Sequence, residues 1–183
     1  GGTTDLAVVN NGGLIGTKMF AIGGRAFTKR LTTVLGVGFA EAEQKKLAYS
    51  AGELSKTEQQ EVQRALQTDV DVWLSGIELT LGEFTNVDLL PSRILLCGGG
   101  SNLPDIARVL NGASWGKRLP FARRPTVHFL KPSEVQTVVD ATGKLGTVQD
   151  ITPMALANLA IDLVGRSTAS QTVFRRLLSS VGA

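Results

Sequence analysis

Two glycine-rich turns carry most of the chemical potential of this sequence: Gly1-Gly2-Thr3-Thr4 and Gly98-Gly99-Gly100-Ser101. Glycine lets backbone N–H groups approach a phosphate with no side chain in the way, and Thr or Ser hydroxyls add donors. Each turn adjoins a strand-like run, DLAVVN after the first and RILLC before the second. The second turn also opens a helix, an arrangement that puts amides and a helix N-terminus beside a ligand. Taken alone, the first turn also suits the start of an ordinary hairpin. A dinucleotide fingerprint would need a third glycine where Leu103 stands and an acid about twenty residues on; Arg123-Arg124-Pro125-Thr126 offers none. A third break, Gly23-Gly24, precedes a helical run in which Glu43 and Lys46 lie three residues apart, hence on one face. A carboxylate there can accept from sugar hydroxyls, and a lysine stem can lie along a base. Asp5 is placed either to hold a cation near phosphates or to serve the hairpin.

The elements that must position these residues follow from periodicity. Asp5 to Asn10 and Leu14 to Ile22 read as antiparallel strands joined at Asn10-Asn11-Gly12-Gly13, residues that tolerate positive φ. Phe27, Leu31, Val34 and Leu35 give Arg25 to Leu35 a helical stripe, and Phe39 to Ala51 is rich in helix formers. Val62, Leu66, Val70, Trp73, Ile77 and Leu81 mark one long amphipathic helix over Thr57 to Phe84. Thr57 with Glu58 and Gln60 resembles a capping box, and Gly76 and Gly82 weaken the helix locally. Arg93 to Cys97 reads as a strand buried on both faces, followed by a helix from Asp105 to Leu110 with Ser101 or Asn102 as cap and Pro104 in its first turn. Pro125 to Leu130 is a further strand, 138–150 is loop, and Asp150 to Val164 is a helix capped by Thr152. The order predicts a mixed α/β lobe with helices packed on a sheet.

Composition excludes several classes. A chain of 183 residues, 43% hydrophobic, fits one domain or one lobe with a small subdomain. No run of ~18 uninterrupted apolar residues crosses a membrane, and the start lacks the basic segment of a secretory signal. One cysteine and one histidine rule out a disulfide and a structural zinc site and fit a reducing compartment. Cys97, with no base nearby in sequence, is expected to be a buried structural thiol, and His128 to sit in the core or at a strand edge. Asp69 and Asp71 are expected on the solvated side of the long helix. The net charge is +3, and the basic doublets Lys29-Arg30, Lys117-Arg118, Arg123-Arg124 and Arg175-Arg176 are scattered. Solvated surface is the expectation, with no nucleic-acid partner.

In this order GGTTD, GGRAFT, AEQKK and LLCGGGSNLPDI resemble the second lobe of the actin-like ATPases, in the branch of the cell-division protein FtsA and the pilus-assembly protein PilM. The resemblance implies an actin-like (ribonuclease H-like) α/β lobe: a core subdomain of residues 1–24 and 93–165, a mostly helical insertion at 25–92, and a tail at 166–183. It implies ATP and Mg²⁺ as ligands of the full-length protein. Gly1, Gly2 and Thr3, with Asp5, match the end of a phosphate loop whose opening aspartate would precede Gly1. Gly23 and Gly24, with Phe27-Thr28, match a sugar- and phosphate-facing turn. Ala42-Glu43 with Lys46 matches an element near ribose and adenine. Gly98, Gly99, Gly100 and Ser101 match an adenosine motif, and Pro153-Met154-Ala155 a closing helix. Asn158 departs from the small residue usual in that helix. The short stretch between Lys46 and the long helix leans toward PilM.

The function implied is a nucleotide-switched assembly protein of bacterial cell division. It would be cytoplasmic, at the inner face of the plasma membrane, and would work with an N-terminal lobe and with copies of itself or a filament-forming protein. No residue here fills the role of hydrolytic carboxylate, so this lobe alone is expected to be inactive. A pilus or secretion scaffold that keeps the fold, and a sugar or metabolite kinase of the same superfamily, are the alternatives. In the tail, Val173, Phe174, Leu177, Leu178 and Val181 share a face beside Arg175 and Arg176. That suits a helix lying on an anionic membrane surface, or one packing on the lobe.

Overall fold

The computed structural model describes residues 1–112, 115–135 and 138–164. It divides into two units, Gly1–Phe129 and Leu130–Ala183. The tail helix expected around 171–181 lies outside the described residues.

The first unit opens with an antiparallel hairpin, β1 (Thr4–Asn10) and β2 (Gly13–Phe20). Asn11 and Gly12 both take positive φ, 49° and 78°, the left-handed pair that a two-residue hairpin loop needs to match strand twist. The register runs from Thr4 opposite Phe20 to Asn10 opposite Gly13, with an irregularity between Val8 and Val9. Three helices follow: α1 (Gly24–Leu35), α2 (Phe39–Ala51) and α3 (Lys56–Gly82). Then come β3 (Arg93–Leu96), a 3₁₀ turn at Gly99–Asn102, α4 (Pro104–Leu110) and β4 (Thr126–Phe129). β3 and β4 pair in parallel, Arg93 opposite Thr126. The fold is mixed α/β, with two small sheets in place of one continuous sheet.

α3 is the spine of this unit. Val62, Leu66, Val70, Trp73 and Ile77 are buried along one stripe and join Phe27 and Leu31 of α1, Ala42 and Tyr49 of α2, and Ile106, Val109 and Leu110 of α4 in one core. Both sheets contribute, through partly buried Leu6, Phe20, Ile94, Leu96 and Val127. Gly76 has a packing role beyond its cost to the helix: a Cβ there would sit 2.8 Å from the Phe20 ring, so its absence is what lets β2 lie against α3.

Several expectations change. α3 is capped by Ser55, not Thr57: Glu58 N–H donates to Ser55 Oγ at 3.4 Å and Ser55 N–H to Glu58 Oε2 at 3.1 Å, the reciprocal box with its three-residue spacing. α4 has Leu103 at its N-cap and no side-chain cap, with Pro104 at the first position. Val34 is exposed, because the buried face of α1 runs through Phe27, Thr28 and Leu31. β3 buries one face only: Leu95 and Cys97 are exposed, so the thiol is not in the core. Its apolar run reflected a strand covered on one side by helices, which composition cannot distinguish from one covered on both. Asp69 is not simply solvated; it makes a two-bond ion pair with Arg30 of α1, at 2.5 and 3.0 Å.

The second unit contains 3₁₀ turns at Pro132–Glu134 and Val148–Asp150 and a helix, α5, over 151–164. Thr147 caps the 3₁₀ turn that leads into α5, its N–H and Oγ1–H both donating to Asp150 Oδ2 at 2.8 and 2.7 Å, and Thr152, expected as the cap, lies inside the helix. No helix among the described residues is long and apolar enough to cross a membrane.

Candidate functional site

The first glycine turn and the Gly23-Gly24 break are packed backbone to backbone. A Cβ on Gly23 would fall 2.6 Å from the Gly1 carbonyl, 2.7 Å from the Thr3 carbonyl and 2.8 Å from the Thr3 nitrogen. Only glycine fits, because those neighbours are main chain and cannot rotate away. The Arg25 N–H donates to the Gly1 carbonyl at 3.2 Å, sealing the turn against the start of α1. Thr4 fixes the other side. Its hydroxyl donates to the Ile22 carbonyl at 2.6 Å and accepts from Trp73 Nε1 of α3 at 2.9 Å. Thr3 faces outward and donates to Asp5 Oδ2 at 3.2 Å, both side chains being exposed.

Beside this turn lies a buried polar knot. Lys46 Nζ donates to Glu43 Oε2 at 2.8 Å, to Thr28 Oγ1 at 2.9 Å and to the Gly24 carbonyl at 3.2 Å. The Thr28 hydroxyl also donates to Glu43 Oε2 and lies 3.1 Å from the Gly24 carbonyl. Lys46 and Thr28 are buried, while the Glu43 side chain keeps 35% of its surface. Burial pushes the Glu43 carboxyl up, but the hydrogen bonds from Lys46 and Thr28, with the lysine charge, outweigh it and hold the group below the usual carboxylate range.

The second turn is built differently. Gly98 takes φ 86° and ψ 156°, a backbone conformation that side chains disfavour. The Ser101 hydroxyl turns back on the Gly98 carbonyl at 2.7 Å. Gly99 and Gly100 are exposed. The link between the turns is α2. One turn beyond Lys46, the Tyr49 hydroxyl donates to Asp105 Oδ2 at 2.8 Å, in the first turn of α4. Asp105 is 1% exposed, and its other oxygen accepts from Arg108 at 2.9 Å. Lys46 and Tyr49 lie ~4.5 Å apart along the helix axis, so one rigid element grips the start of α1 and the helix that follows the second glycine turn.

Residues 1–143 match the family of the cell division protein FtsA. The chain belongs to the FtsA family. No curated protein matches the sequence. Among solved structures it is similar to a PilM-PilN type IV pilus biogenesis complex, at 20% identity and a TM-score of 0.49, over 59% of this chain and 29% of that one. This chain therefore spans under a third of the length of that relative, and the assignment rests on the family match.

In this FtsA-family lobe, Gly1, Thr3, Gly23, Gly24, Glu43 and Lys46 come together through direct contacts. Gly2 is exposed with open space at its Cα. Gly98 to Ser101 make no direct hydrogen bond to that cluster among the described residues; α2 and α3 both pack between them. Among the described residues no group of three or more His, Cys, Asp or Glu side chains is placed to hold a metal ion, at Asp5 or elsewhere. A single carboxylate beside a hydroxyl still fits Mg²⁺, which keeps several waters and takes one or two carboxylates together with substrate phosphates. Tyr49 and Asp105 were missed from sequence, while Thr4 and Thr28 were read only as part of the glycine motifs beside them and not as hydrogen-bond partners of Trp73 and Glu43. Thr28 follows Gly24 by one helical turn and Tyr49 follows Lys46 by three residues, so helical spacing alone would have nominated both.

Proposed function

We propose that this lobe binds the adenosine and part of the phosphate chain of Mg-ATP, and that the other, N-terminal lobe of the whole protein closes over the ligand. The observation that carries this reading is the Lys46–Glu43–Thr28 knot set against the Gly1–Thr3 and Gly23-Gly24 backbone in an FtsA-family chain. Glu43 supplies an ionised acceptor for sugar hydroxyls. The glycine turns supply close backbone approach to phosphate. Mg²⁺ would neutralise phosphate charge, with Asp5 and Thr3 as the residues on its side.

On this reading the intact protein is a nucleotide-switched, membrane-associated assembly protein of bacterial cell division. Residues 1–24 and 93–165 form its nucleotide-holding subdomain and 25–92 the insertion. The lobe alone supplies no hydrolytic carboxylate and turns over no ATP. The test is thermal unfolding of the full-length protein with and without Mg-ATP. A site filled at one hundred times its dissociation constant stabilises by ~2.7 kcal/mol, read as a rise in Tm that Gly23→Ala abolishes. No rise at millimolar Mg-ATP refutes nucleotide binding and leaves a scaffold.

A further inference from the structure

We propose that the loop joining α4 to β4 is a contact for an anionic lipid surface, made by Lys117, Arg118 and Arg123 with Leu89 beside them. It gives the membrane association proposed above a contact in the body of the lobe, and it is independent of nucleotide. Residues 106–129 hold five of the chain's 19 basic residues and none of its 16 acidic ones. The rest of the chain, with 14 basic residues against 16 acidic, is net negative. The positive charge of this protein is therefore concentrated in one segment.

The fold turns that segment into one charged surface. Leu119 and Phe121 pack inward against the cluster of Val8, Phe84 and Leu90. The Leu90 N–H donates to the Pro120 carbonyl at 2.8 Å, and the Gly116 N–H to Glu78 Oε1 of α3 at 2.7 Å. The anchored loop carries Lys117 and Arg118 on one side of its apolar foot and Arg123 and Arg124 on the other, all four exposed. Arg118 and Arg123 are five residues apart, at most ~18 Å of chain, so they share one footprint on a flat surface. The charged groups of Lys117, Arg118 and Arg123 enter no ion pair among the described residues, while Arg124 is tied to the Asn111 carbonyl. Glu78 accepts from Gly116 and Glu83 pairs with Lys18, which leaves exposed Asp88, two residues before Leu90, against four cations.

Charge alone suits any polyanion, and two observations favour a bilayer. Leu89 is 54% exposed, next in the chain to the residue that anchors the loop. An apolar side chain at the rim of a basic patch is what the boundary between headgroups and acyl chains accommodates. The rings of this region, Trp115 and Phe121, pack edge to face with centroids 5.9 Å apart and Trp115 buried, so they offer no platform on which a nucleic-acid base could stack.

The test is co-sedimentation of the full-length protein with vesicles of phosphatidylcholine alone or with about 30% phosphatidylglycerol, the anionic lipid that a basic patch should select. One variant carries Lys117→Gln, Arg118→Gln and Arg123→Gln, which break no bond of the fold. A second carries the same charge change on α1 and α3, as Lys29→Gln, Lys56→Gln and Arg64→Gln, all exposed in the wild type. A basic residue near an anionic surface is worth about 5-fold in partitioning, so the loop variant should lose about 100-fold on the anionic vesicles. The second variant should lose under about 5-fold, because its charges lie beyond the screening length of ~8 Å from the bilayer. Equal losses in the two variants, or wild-type binding that ignores phosphatidylglycerol, overturn the proposal. A loop variant that binds anionic vesicles like the wild type also overturns it, and leaves membrane association to another part of the protein. If that variant instead loses retention on duplex DNA, the loop is a nucleic-acid surface and the lipid assignment is rejected. A wild type that binds neither vesicle refutes the loop contact and the membrane association together.

Discussion

Replacing Tyr49 by Phe removes one oxygen atom and leaves the ring to pack as before, which isolates a single hydrogen bond. Tyr49 is 6% exposed and its acceptor Asp105 is 1% exposed, with 2.8 Å between the hydroxyl and Oδ2. A hydrogen bond to a charged group contributes about 1.5–3 kcal/mol, and water has no ready access to replace it here. The remaining Arg108 bond to Oδ1 keeps the carboxylate paired, so the loss should be about 2 kcal/mol and not the larger penalty of an abandoned buried charge. For a chain of this length that corresponds to a fall in Tm of about 4–8 °C. Urea unfolding should show a lower midpoint with an unchanged slope. A double-mutant cycle with Asp105→Asn should give a coupling near the same size.

The pH dependence carries a sign. Burial first, then the hydrogen bond and charge of Asp105, raise the Tyr49 phenol above its ordinary value, against a smaller opposing effect of Arg108. A raised group stabilises fully below its unfolded value of about 10 and loses that contribution as pH rises through the folded value. The gap between wild type and Tyr49→Phe should therefore be constant from neutral pH to about 10 and shrink above it. A wild-type advantage under ~0.5 kcal/mol at neutral pH, or zero coupling in the cycle, would refute the argument.

Gly23→Ala should destabilise by about 1–3 kcal/mol, the range for forcing a methyl group into packed structure, because its three nearest neighbours are backbone atoms within 2.8 Å; circular dichroism melting checks it. The lowered Glu43 carboxyl contributes stability that is present above the ordinary carboxylate value of about 4.3 and lost as pH falls through the folded value. Glu43→Gln should flatten that part of the acid limb in urea titrations, and an unaltered limb would contradict the assignment. In the second unit Asp140 is held down to about 2, by the Thr142 hydroxyl first and then by the Leu145 and Thr142 amides. Thr142→Ala should raise it, as read from the carboxyl carbon shift in an NMR titration.

The sequence determined the helices and the hairpin because those depend on local spacing. Asn11-Gly12 forces a tight turn, the Val62–Ile77 stripe forces a long helix, and Glu43 and Lys46 fall on one face by helical geometry. It also marked the glycine turns and, through their order, the FtsA family that the match over residues 1–143 shows. What it could not determine was partnership across distance. Nothing local says that Thr28 closes on Glu43 from another helix, that Asp69 pairs with Arg30, or that Tyr49 reaches Asp105 fifty-six positions away. Nor could it say that Cys97 faces out, since one covered face of a strand and two leave the same apolar run. Those outcomes depend on how α1, α2 and α4 pack around α3. Packing is decided by the shape and burial of the whole core, while the local sequence decides only which face each helix offers to it.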